Sequence, residues 1–83
     1  MQVIDRVIQN IDTMKSEINT LARELYLMHG HHVAATYDFS RPRSELARKC
    51  WNSAVIVHFN VFVKEFDDDE VAAFLLPKQS TIY

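Results

Sequence analysis

The sequence predicts an all-α protein, an antiparallel helical hairpin with a short third helix, whose copies associate. Three observations predict it. Ile4, Ile11, Ile18 and Leu25 recur every seven residues, and Val7, Met14, Leu21 and Met28 recur in the same frame three residues on. That is an apolar a/d seam without one polar interruption, and such a stripe needs a partner helix to cover it. The chain also has a single glycine, Gly30, placed just after the last seam residue. Finally, between Pro42 and Phe66 only the mild Asn52-Ser53 pair could interrupt a helix.

The first helix is expected over residues 2–29. Its exposed positions carry good helix formers, and Gly30 follows as a C-cap. HGHH then opens a linker, and residues 33–40 alternate, with Val33, Ala35, Tyr37 and Phe39 against Thr36, Asp38 and Ser40. In an all-helical fold this is an extended connector that lays Tyr37 and Phe39 onto the helices.

The second helix is expected over 42–66, with Ser40 or Arg41 as cap and Pro42 in the first turn. Its length, about 37 Å at 1.5 Å per residue, would match the first helix at about 40 Å. Residues 54–66, AVIVHFNVFVKEF, are rich in β-branched and aromatic types. They would suit a strand as well, so the runner-up fold is α+β, with strands near 33–39 and 54–65. As a helix this segment is apolar nearly all round, and must be covered nearly all round. Asp67 caps a third helix, DDDEVAAFLL, which ends before Pro77. The tail KQSTIY either frays or docks through Ile82 and Tyr83.

Eighty-three residues make one small domain, 1–83, of the size that often gains stability by oligomerising. One cysteine, Cys50, excludes an internal disulfide and suits a reducing, cytoplasmic setting. MQVIDRV is not a signal peptide, and the longest charge-free run, Cys50 to Val63, is too short to span a bilayer. The formal net charge of −2 argues against a nucleic-acid binder.

Charge is nevertheless polarised. Arg41, Arg43, Arg48 and Lys49 precede the apolar stretch, while Glu65 and Asp67–Glu70 follow it. An antiparallel neighbour packed on helix 2 would bring the basic end of one chain beside the acidic end of the other. The oligomer interface is therefore expected to use Ile4, Val7, Ile11, Met14, Ile18, Leu21, Leu25 and Met28, together with Trp51.

The candidate ligand site is SRPRS. Arginines disfavour a helix N-terminus unless an anion sits among them. Ser40, Arg41, Arg43 and Ser44, with free N–H groups, could hold a phosphate or carboxylate. No catalytic, metal or cofactor site is expected. His29, His31 and His32 lie on a glycine-containing loop without a cysteine nearby, short of a zinc ligand set. Cys50 and His58 are eight residues apart, about 12 Å along a helix, which separates nucleophile from base. The contiguous carboxylates of DDDE do not converge as a calcium loop does.

These readings point to a non-enzymatic homo-oligomer that binds a macromolecular partner, another protein, as an inhibitor or adaptor. The alternative is an oligomer that sequesters a small anionic ligand, such as a nucleotide or cyclic nucleotide, at SRPRS. In layout the chain resembles the small inhibitors that phages carry against host defences. Helical-hairpin oligomers that sequester cyclic nucleotides are among them. The likeness is one of layout, with no motif behind it.

Overall fold

The computed structural model describes residues 3–63 and 65–77, with side chains from Ile11 onward. It is all-helical: α1 (Val3–Met28), α2 (Glu45–Phe62) and α3 (Asp68–Phe74). No strand occurs among the described residues. Residues 33–39 are irregular and 54–62 are helix, so the α+β alternative fails. The strand-like alternation marked which side chains pack, not a sheet: Phe39 is buried and Tyr37 half-buried in the core.

α1 ends as its glycine predicts. Gly30 has φ +84°, the left-handed region that a side chain disfavours. The N–H of His31 donates to Tyr26 O and that of Gly30 to Leu27 O, the paired bonds of a Schellman cap. The His31 ring stacks on Tyr26 with centroids 5.1 Å apart, completing the cap.

α2 is shorter than expected at both ends. It spans 18 residues against 26 in α1, about 27 Å against 39 Å, so the two helices are not length-matched. Ser40 cannot cap it because Asp38 already accepts from the Ser40 N–H at 2.9 Å and from its hydroxyl. The Arg41 N–H donates to Asp38 O and that of Arg43 to Tyr37 Oη, which keeps the turn going past Pro42. Ser44 is the N-cap, extended at φ −145°, its Oγ accepting from Ala47 N. At the other end Val63 adopts an extended conformation and α2 stops there. Asp67 then starts α3 with a capping box, its carboxylate taking Glu70 N while Glu70 Oε1 takes Asp67 N, both at 3.0 Å.

The core joins α1, the connector and α2. Ile18 and Ala22 of α1 and Phe39 of the connector pack with Ala47, Cys50, Trp51, Ala54, Val55 and Phe59 of α2, all buried. The buried positions of α2 follow helical spacing, and they leave Ile56, Val57, Val61 and Phe62 exposed. α3 lays Val71 and Phe74 against the same core, with Phe74 5.7 Å from Phe59 ring to ring.

Candidate functional site

Two asparagines and one arginine bring the non-helical segments onto the helices. Asn19 of α1 accepts from Phe39 N at 2.7 Å and donates to Tyr37 O at 3.3 Å. Arg23 adds donors to Ala35 O and Tyr37 O, both at 2.9 Å, and lies over the Phe39 ring. Asn52 of α2 holds the segment after α3: its Nδ2 donates to Leu76 O at 2.9 Å while its Oδ1 accepts from Leu76 N at 2.8 Å. The Trp51 indole N–H donates to Phe74 O at 2.7 Å beside it.

These attachments create a cleft of about 510 Å³ between α1, the connector and the end of α3. Lys15, Ser16 and Asn19 line one wall, Asp38, Ser40 and Arg41 a second, and Phe74 and Leu76 a third. Of the SRPRS residues, only Ser40 and Arg41 line it. A second, shallower recess continues past Arg41 and Pro42 to Arg48 and Pro77. Arg43 is exposed and lines neither recess, and Ser44 is spent on capping α2. The expectation of paired arginines in a helical first turn is thus corrected. The first helical residue is Glu45, an acid suited to that end of the dipole, and it pairs with Arg48. That hydrogen bond raises the Arg48 guanidinium above its ordinary range.

The cleft is not purely cationic. The Ser40 hydroxyl bonded to Asp38 holds its carboxyl below the usual carboxylate range, against some burial, with Arg41 and Lys15 adding attraction. Lys15 and Asp38 were missed from sequence. Asp38-Phe39-Ser40 carries a turn signal that could have been found, since an aspartate readily bonds the backbone two residues on. Nothing in the spacing around Lys15 announces its place.

The expected interface residues divide. Trp51 and Ile18 are buried in the chain's own core at 2% and 0% exposure, leaving no surface for a second copy. Met14, Leu21 and Leu25 are half-buried, and Ile11 and Met28 are exposed. The side chains of Ile4 and Val7, like the tail from Lys78 to Tyr83, lie outside the described residues. Cys50 is buried, which pushes its thiol up. His58 is buried with Nδ1 unpaired, Glu17 Oε1 lying 3.7 Å away. Among the described residues no three His, Cys, Asp or Glu side chains converge as a metal site would require, and no helix is long and apolar enough to cross a membrane.

Compared with protein-family models, with curated proteins and with solved structures, the chain matches none.

Proposed function

We propose that this chain is a non-enzymatic, homo-oligomeric binding protein. Its protomer is an antiparallel α1–α2 hairpin, and its assembly engages a macromolecular partner as an inhibitor or adaptor would. The observation that carries this reading is the apolar surface left on α2. Val61 and Phe62 are each 65% exposed, and Ile56 and Val57 more than a third exposed. Val57 and Val61, four residues apart, adjoin on one face of the helix, and adjoining exposed apolar side chains mark an interaction site. Burial of Cys50 pushes its thiol up, away from the reactive thiolate, which supports a role without a cysteine nucleophile.

The test is the mass of the purified chain in solution by light scattering at micromolar concentration, with affinity capture from the native host. A multiple of the chain mass, with one stoichiometric co-purifying protein, is expected. A monomer that also captures nothing overturns the reading.

One observation favours a second reading, capture of a small anionic ligand such as a nucleotide or cyclic nucleotide. Lys15 and Arg41 share a cleft whose volume falls in the range of ligand pockets. Thermal stabilisation by such a ligand, abolished in Lys15→Ala/Arg41→Ala, would support it. No shift with phosphate, nucleotides or cyclic nucleotides would remove it.

A further inference from the structure

We infer, building on the reading of the cleft between α1, the connector and α3 as an anion site, that it takes a singly charged phosphodiester in preference to a doubly charged phosphomonoester, and that Asp38 makes the choice. Lys15, Asp38 and Arg41 are the charged residues lining the cleft, so two cations face one carboxylate and the described lining carries one positive charge in excess. Among the described residues neither Lys15 nor Arg41 has an ion pair, so neither cation is taken up inside the chain.

Asp38 is not neutralised either. The Ser40 hydroxyl holds its carboxyl below the usual carboxylate range, against some burial, helped by the Ser40 N–H, Arg41 and Lys15. It is therefore ionised from mildly acid pH upward. Both bonds to Ser40 fall on Asp38 Oδ1, at 2.9 and 2.6 Å, so the turn itself fixes the carboxylate in the wall.

Distance lets these charges be felt. The cleft holds about 510 Å³. That is about 8 Å across, one Debye length at physiological salt, so salt screens a bound ligand from the walls only in part. A singly charged ligand matches the excess. A second charge finds no further cation and meets Asp38, and an unmatched charge drawn out of water costs free energy that nothing offsets. The remaining wall suits the organic body that carries the anion. Phe74 and Leu76, both half-buried, give it an apolar side, and the volume falls in the range of small-molecule pockets.

Cyclic AMP and AMP are the probes, because they share a base and a sugar and differ chiefly in charge. Cyclic AMP is a monoanion, while AMP loses its second proton near about pH 6. Calorimetric titration of the full chain at about pH 7.5 should show cyclic AMP binding about tenfold tighter than AMP. At about pH 5.5 most AMP is singly charged, and the difference should close. Among the described residues no histidine lines the cleft, and Asp38 stays ionised, so that change belongs to the ligand. Asp38→Asn keeps an oxygen for the Ser40 bonds and removes the charge, so in that variant the difference should close already at neutral pH. If Asp38→Asn does not fold, the pH dependence of the parent decides alone. AMP binding as tightly as cyclic AMP at neutral pH, or a difference that persists in acid, overturns selection by charge and leaves anion capture standing. Binding that survives in Lys15→Ala/Arg41→Ala lies outside this cleft and overturns it too. Binding of neither probe removes both the selection and the capture.

Discussion

Asn52 and Leu76 hold one another along both edges of an amide. The side-chain amide of Asn52 donates to the Leu76 carbonyl and accepts from the Leu76 N–H, at 2.9 and 2.8 Å. The pair joins residues 24 apart and fixes where the chain goes after α3. Without it the segment after α3 would keep only the longer Arg48 bond to Leu76 O, at 3.4 Å, and α3 its Val71 and Phe74 packing and the Trp51 bond to Phe74 O, none of its own residues being fully buried.

Asn52→Ala should therefore cost about 1–3 kcal/mol, the penalty for leaving partly buried peptide groups unpaired. Urea unfolding measures the loss, and hydrogen exchange locates it at the Leu76 amide. An unchanged midpoint together with unchanged exchange would show that the pair does not form in solution.

The seam of α1 is predicted to be unequal in energy though regular in sequence. Ile18 is fully buried and Ile11 is 40% exposed. Ile18→Ala should cost about 2–4 kcal/mol as a large-to-small change in a packed core, independent of protein concentration. Ile11→Ala should cost less than half of that in the same titration. Equal losses at the two positions would contradict the packing.

Gly30→Ala should destabilise by about 1 kcal/mol, because alanine must enter the left-handed region. An added Cβ would meet nothing within 4 Å, so the cost is conformational rather than steric. Gly30→Asn should recover part of it, since asparagine tolerates that region better. A thermal melt of the three proteins checks the order Gly, Asn, Ala.

What the sequence conveyed well is what repeats or punctuates. The seam located α1, Gly30 its end, and Asp67 the start of α3. Ser44 shows the limit. Two serines flank the Arg-Pro-Arg turn, and which one caps α2 depends on Asp38 having already engaged Ser40, a competition between neighbours that local pattern does not decide. Asn52 shows a second limit. Read alone, it weakens a helix; in the fold it bonds a peptide 24 residues away. Trp51 shows a third. Its size suggested an interface, yet its indole N–H finds Phe74 O within the same chain. In each case the deciding partner is remote or shared.

Asp38 gives the pH dependence. Its carboxyl is held below the ordinary value in the folded chain, chiefly by the Ser40 hydroxyl. The stabilisation is therefore present above the unfolded carboxylate value near pH 4, and is lost as pH falls through the lower folded value. The gap in melting temperature between the parent and Asp38→Asn should be full at neutral pH and close in the acid range. A gap independent of pH would assign the effect to geometry rather than charge.

The attachments described for Asn19, Arg23, Asn52 and Trp51 share one property. Each side chain sits on a helix, and what it grips elsewhere is main chain: Ala35 O, Tyr37 O, Phe39 N, Phe74 O and both polar atoms of Leu76. The helices thus read the path of the connecting segments and not their spelling. At Ala35, exposed and held only by its carbonyl, almost any residue could stand without loosening the bond. Such a chain can change the surface its loops present to the outside world while keeping the same skeleton beneath.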